Sequence, residues 1–360
     1  MSGLKRRLRG TLTVQKTFSA VLDESVVGLA WLQGSRLAAL TAAGSVWLTD
    51  GSAESLRRVG GHAEGGLAIA SQPTGSLLAT GGQDGMIRLW DARAGVQACA
   101  IETGTPWVER LAWRPDGSGL AATLGRRVGV WDAAGLLVGR SDEHASTAAD
   151  IAWQPDGSRI AVAAYGGVTY LAPDGKGPIE RVECKGSSLL LAWQPQARYL
   201  AVGNQDATVL FVMVESRDTL QMWGFPTKVR SLAWSSDGRW LATGAGSGTV
   251  IWDASGAGPK GRTPLTLGGH DGFVTSVAWQ PAGPVLASGG SDGQVCLFQP
   301  RRRVGRRGRS EDNDQPLDGL IDAEDSIFLA AEITSLAWMN GGSMLAAADR
   351  RGTVAVLRIG

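Results

Sequence analysis

Several residue types are scarce in this 360-residue chain, and each scarcity excludes something. Cysteine occurs three times, as Cys99, Cys184 and Cys296. An odd number at wide spacing gives neither a disulfide framework nor a paired metal site. An excess of one charge is also missing. The formal net charge is +1, so no overall field draws the protein to nucleic acid or to an anionic membrane. No stretch approaches the roughly 18 consecutive apolar residues that a membrane helix needs. The basic start, Met1 to Gly10, is not followed by the apolar core of about 7–15 residues that marks a secretory signal. A reducing, cytoplasmic setting without membrane contact is the expectation, and no cofactor is implied. Segments with helical periodicity are lacking as well.

Glycine is abundant instead. Its 51 residues are spread along the whole chain, which suggests many turns rather than one linker. Internal repeats account for them. A Leu-Ala-Trp-like triplet returns with its third position at Trp31, Ser71, Trp113, Trp153, Trp193, Trp234, Trp279 and Trp338. The gaps are 40, 42, 40, 40, 41, 45 and 59 residues. A turn follows each triplet, as in Arg114-Pro115-Asp116-Gly117. Proline presets φ there and glycine permits positive φ. A short apolar run comes next, then a second tight turn such as Gln83-Asp84-Gly85, then another apolar run ending in Leu89-Trp90-Asp91. Each unit reads as short strands joined by turns. A small sheet of this kind buries both faces only between two similar sheets, and radial closure achieves that.

The third strand of each unit ends 18 or 19 residues after the triplet, at Thr49, Trp90, Trp131, Leu171, Val212, Trp252, Phe298 and Leu357. Three of these begin a Trp-Asp pair: Trp90-Asp91, Trp131-Asp132 and Trp252-Asp253. With these motifs the chain resembles the WD-repeat family over residues 14–360. The eight units predict an all-β, eight-bladed propeller of four-stranded antiparallel blades. Residues 1–13 are left as a basic tail carrying Lys5, Arg6, Arg7 and Arg9. Unit eight has no strand after its third, so Val14 to Leu22 is expected to complete that blade and close the ring. The Ala-, Gly- and Arg-rich composition suggests a high-GC genome and a bacterial member of the family.

The three histidines, His62, His144 and His270, each stand nine residues before a triplet position. The resemblance implies that such a histidine bonds to an Asp in the second tight turn, and through a Ser or Thr to the Trp. Unit two matches with His62, Thr80, Asp84 and Trp90. Unit seven repeats the offsets with His270, Ser288 and Asp292, but ends in Phe298, which has no indole N–H. Repeated offsets mark architecture rather than a His–Asp–Ser catalytic set. His144 has Val162 and Gly166 where partners should be. It is read as an exposed loop residue, or as a pH-sensitive contact to a partner.

Partners of the resembling family dock on the rim that holds the Gly-His loops. Six residues before the triplet, this chain places Trp107 and Phe273 among small or charged residues, with Lys228 and Arg230 nearby. Aromatic residues and arginine dominate binding hot spots. The 59-residue gap carries an insert at about 301–325, with Arg301, Arg302, Arg303, Arg306, Arg307 and Arg309 followed by an acidic run. The expected function is a non-catalytic protein–protein scaffold, a monomeric propeller within a complex. Two alternatives stay open: a nucleic-acid or phosphate-rich partner held by the Arg-rich insert, and an enzyme with its site in the central channel. The neighbouring acidic run competes for the same arginines and argues against nucleic acid.

Overall fold

The computed structural model describes residues 12–256, 258–300 and 320–360. Its regular structure is all strand, and among the described residues no helix is long and apolar enough to cross a membrane. Each unit runs outward as an antiparallel meander from its triplet. Unit two shows the logic: strands Gly66–Ser71, Leu77–Gly82, Met86–Asp91 and Val96–Glu102 pair in chain order. The middle strands are buried on both faces, and the outermost strand is mostly exposed. The tight turn between the middle strands needs Gly85 at a φ of 69°, where a side chain would meet the Thr105 carbonyl oxygen. Asp84 accepts the Met86 N–H at 3.2 Å and locks the same turn.

The innermost strands touch in sequence around a closed ring. They are Val26–Leu32, Gly66–Ser71, Leu111–Trp113, Asp150–Trp153, the second half of Glu180–Trp193, Ser231–Trp234, Val274–Trp279 and Ile333–Trp338, and the last touches the first. Strand Val14–Val21 pairs antiparallel with Thr353–Ile359, so the sheet of unit eight contains both ends of the described chain.

The expectation of eight separate four-stranded blades is overturned. The strands assemble into seven sheets: five of four strands, one of five and one of six. Counted by continuous sheets, the propeller has seven blades and not eight. The difference arises at Glu180–Trp193. Its first part pairs with Ile160–Leu171 (Thr169 opposite Arg181), and its second part pairs with Tyr199–Asn204 (Trp193 opposite Leu200). Elsewhere a loop separates a unit's outer strand from the next inner strand, as between Glu102 and Leu111. Here Lys185-Gly186, with Gly186 in the left-handed region, is all the turning there is. Units four and five therefore share one six-stranded sheet. The five-stranded sheet arises from the insert: Leu320–Ile321 adds a parallel strand to Leu265–Leu267 of unit six before Asp325–Phe328 joins unit seven.

The structure also explains why tryptophan repeats. Trp31 donates its indole N–H to the Ala337 carbonyl oxygen at 2.9 Å, across the closure. Trp113, Trp153, Trp193 and Trp234 donate to Ala70, Ala112, Ala152 and Ala192, and Trp338 donates to Ala278, at 2.9–3.2 Å. Every acceptor is the alanine of the preceding triplet. These bonds form a belt that fastens each inner strand to the unit before it. The belt is broken at Ser71, which has no indole. It is broken again at Trp279, whose buried N–H has no partner.

Candidate functional site

The His62 network sits inside unit two. Trp90 Nε1 donates to Thr80 Oγ1 at 2.9 Å, Thr80 Oγ1 lies 2.9 Å from His62 Nε2, and His62 Nδ1 lies 2.8 Å from Asp84 Oδ1. One proton arrangement satisfies all three contacts. Thr80 receives the indole N–H and gives its own proton to Nε2, and Nδ1–H donates to Asp84. Burial depresses the His62 pKa against the opposing pull of Asp84, with a smaller lowering from Arg88, whose Nη1 lies 2.8 Å from Nδ1; this is the direction that favours the neutral ring. Asp84 is held below the usual carboxylate range: burial raises its pKa, but the bonds from His62 and Arg88 outweigh that. Unit seven repeats the set. His270 Nε2 is 2.7 Å from Ser288 Oγ, Nδ1 is 3.3 Å from both Asp292 oxygens, and the chain of bonds stops at Phe298. Thr80 and Ser288 are fully enclosed, so these groups are spent on one another inside the sheets.

The rim residues divide into two sectors. Phe273 and Trp107 are exposed by 48% and 55%, large values for aromatic side chains. Their inner strands, however, lie four steps apart in either direction around the ring. Trp107 is therefore not a neighbour of Phe273. Arg230 is a neighbour: its guanidinium lies 5.4 Å from the Phe273 ring centroid, a cation–π contact that bridges units six and seven. Lys228 and Arg230 are exposed, and among the described residues no carboxylate forms an ion pair with either. The same loop carries Trp223, exposed by 70%, which the sequence reading missed. The signal was present. Ten of the 14 Trp fall at triplet or third-strand ends, and Trp47, Trp107, Trp223 and Trp240 do not.

His144 is not the exposed loop residue expected. It is half-buried, and its Nε2 is enclosed without a partner. Burial, and then the nearby Arg181 cation, lowers its pKa. Arg301, Arg302, Arg303, Arg306 and Arg307, together with Lys5, Arg6, Arg7 and Arg9 of the basic tail, lie outside the described residues. Among the described residues no group of three or more His, Cys, Asp or Glu side chains is placed to hold a metal ion.

A closed ring of antiparallel sheets defines a β-propeller. Comparison with known proteins agrees. The WD domain, G-beta repeat family matches residues 53–91, 219–253 and 261–299, so the chain carries WD40 repeats. A WD repeat-containing protein VIP3 of Arabidopsis thaliana is 27% identical over 178 residues, covering 49% of this chain and 47% of that protein. Translation initiation factor 3 subunit I of Aspergillus terreus is 25% identical over 55% of this chain and 51% of its own length. THO complex subunit 3 of Arabidopsis thaliana is 24% identical over 54% and 51%. The chain spans about half the length of these relatives. They are eukaryotic, and nothing in them supports the bacterial source suggested by composition. The crystal structure of the computationally designed Ika8 protein superposes with a TM-score of 0.75 at 18% identity, covering 96% of this chain and 99% of that one; this similarity concerns the fold alone.

Proposed function

We propose that this propeller is a non-catalytic docking platform. It takes a protein partner on the rim sector formed by Trp223, Lys228, Arg230 and Phe273. The observation that carries the reading is the Arg230–Phe273 pair. Two exposed side chains of adjacent units are in cation–π contact, and the loop that carries Arg230 also carries the exposed Trp223 and Lys228. Exposed aromatic area rimmed by polar groups marks interaction surfaces, and aromatic and Arg residues make the dominant contacts. The partner that fits is a segment with an apolar side chain next to a carboxylate. Two relatives are named as subunits of assemblies, a translation initiation factor and the THO complex, which suits a monomeric propeller inside a larger complex. The His–Asp–Ser/Thr groups are consumed in architecture, which argues against catalysis by them. The three unpaired cysteines suit a reducing, cytoplasmic setting.

The test is affinity capture from extract by wild type, by Trp223→Ala/Phe273→Ala and by Trp107→Ala, with melting curves for each. Loss of one captured protein in the double variant, with the melt unchanged, supports the sector. Equal capture by the double variant refutes it. Loss only in Trp107→Ala moves the site to the opposite sector.

A further inference from the structure

Unit four kept the histidine of the network and lost everything the histidine bonds to. Val162 stands where unit two has Thr80, Gly166 where it has Asp84, and Leu171 where it has Trp90. In unit two, Trp90 packs against Gly60 on the outer strand of the preceding unit; a Cβ on Gly60 would come within 2.6 Å of the indole. With Leu171 in that place the space between units three and four is not filled. A cavity of about 110 Å³ lies there, lined by His144, Ala164, Thr169, Leu171 and Arg181, with Tyr165 at its edge. Tyr165 is exposed by 61%.

The cavity has a distinct chemistry. His144 is fixed by its backbone: its N–H donates to the Arg126 carbonyl at 2.8 Å, and Arg126 Nε donates to the His144 carbonyl at 2.9 Å. Its Nε2 is enclosed and unpaired, and burial with the Arg181 cation disfavours the charged ring. Arg181 is exposed at the cavity, and among the described residues neither its guanidinium nor the Thr169 hydroxyl has a hydrogen-bond partner. The lining also holds two acids. Glu143 is taken by Arg126 and Arg127, at 3.5 and 3.3 Å. Asp142 is exposed and has no ion pair.

We propose that this cavity is a carboxylate pocket for a short aliphatic acid group. Arg181 takes the charge, Thr169 and His144 supply polar edges, and Leu171 and Ala164 cover the stem. The size suits a few heavy atoms and is well below the roughly 300 Å³ at which drug-sized ligand sites begin. A lining that holds the unpaired Arg181 cation and the Asp142 carboxylate suits a monoanion better than a dianion. The proposal does not depend on the rim reading, since its residues belong to units three and four.

The test uses the whole chain with labelled histidine and arginine side chains, titrated with propionate, propionamide and inorganic phosphate and followed by nitrogen NMR. Propionate is expected to shift the His144 ring and Arg181 Nε signals saturably, and the neutral amide to leave them unmoved. Arg181→Ala abolishes saturation. Asp142→Asn tightens binding by about two- to fivefold, the effect of removing one exposed like charge. Leu171→Trp, which restores the side chain of unit two, blocks binding with Arg181 still in place. Equal shifts from propionate and propionamide, or saturation that survives Arg181→Ala in a variant with an unchanged melt, overturn the proposal. Saturation by phosphate in preference to propionate overturns the carboxylate assignment. A short blocked peptide with one Glu, compared with its Gln counterpart, then separates the sources. Binding of the Glu peptide tighter than propionate assigns the pocket to a partner's side chain, and the reverse assigns it to a free acid.

Discussion

Thr80→Val isolates the network of unit two, because valine keeps the shape of threonine and removes only the hydroxyl. Two buried groups lose their partner at once: the Trp90 indole N–H and His62 Nε2, both 2.9 Å from Thr80 Oγ1. Each orphaned group costs about 1–3 kcal/mol, so the substitution should cost about 2–6 kcal/mol, with no cavity to add. Unit seven provides the control. Ser288→Ala orphans only His270 Nε2, because Phe298 has no N–H, and should cost about 1–3 kcal/mol. The assay is equilibrium urea denaturation at pH 7.5, followed by far-ultraviolet circular dichroism, with equal m-values required for the comparison. A double-mutant cycle completes it. Once Trp90→Phe has removed the donor, Thr80→Val should cost about 1–2 kcal/mol less than in wild type. A Thr80→Val penalty no larger than that of Ser288→Ala, or strict additivity in the cycle, would refute the shared hydroxyl.

Three further outcomes are expected. Trp31→Phe removes the bond to Ala337 and should lower stability by about 1 kcal/mol, whereas Trp279→Phe removes a buried N–H that has no partner and should be neutral or stabilising in the same urea assay. Burial raises the Asp150 carboxyl to about 6, against the opposing Arg110 at 3.6 Å and the N–H groups of Leu191 and Ile151. The folded state therefore holds a proton there that the unfolded state releases near 3.8, and stability from this group falls as pH rises between those values. Asp150→Asn should then gain on wild type across that window, levelling at about 3 kcal/mol above pH 6, and a difference independent of pH would refute it. Iodoacetamide should label Cys296 far more slowly than Cys99, because the Cys296 thiol is buried and its pKa is pushed up to about 12, and equal rates by mass spectrometry would contradict that burial.

Much of this architecture was legible because the triplets and third-strand ends keep fixed offsets. The His62 and His270 networks were implied by the family resemblance and placed on residues by the offsets, and the hydrogen bonds are present at those residues because a bond between fixed positions on neighbouring strands is a property of register. What was not legible depends on space or on loop length. The fusion of units four and five turns on the missing loop at Lys185-Gly186, which spacing between triplets does not report: that gap is an ordinary 40 residues. The separation of Trp107 from Phe273 follows from unit order, since units three and seven lie opposite in a ring whose inner strands touch in sequence. Trp223 lies off the triplet and third-strand positions and off the position six residues before the triplet, so no repeat position reports it. His144 reads as a loop residue because its partners are absent at the expected offsets, and the cavity it lines is a matter of packing around Leu171 that offsets do not report.

The pairing of Val14–Val21 with Thr353–Ile359 joins residues more than 300 positions apart, as in the bond from Thr17 to Val356. Such a contact carries a large loop-closure cost and is late in any folding sequence. Until it forms, one early strand and one late sheet each present an unpaired edge, the kind of surface that recruits other chains. The completed ring hides both edges. For this protein, the interval between synthesis of the first strand and arrival of the last is the period of greatest exposure to aggregation, and a chaperone would do most during it.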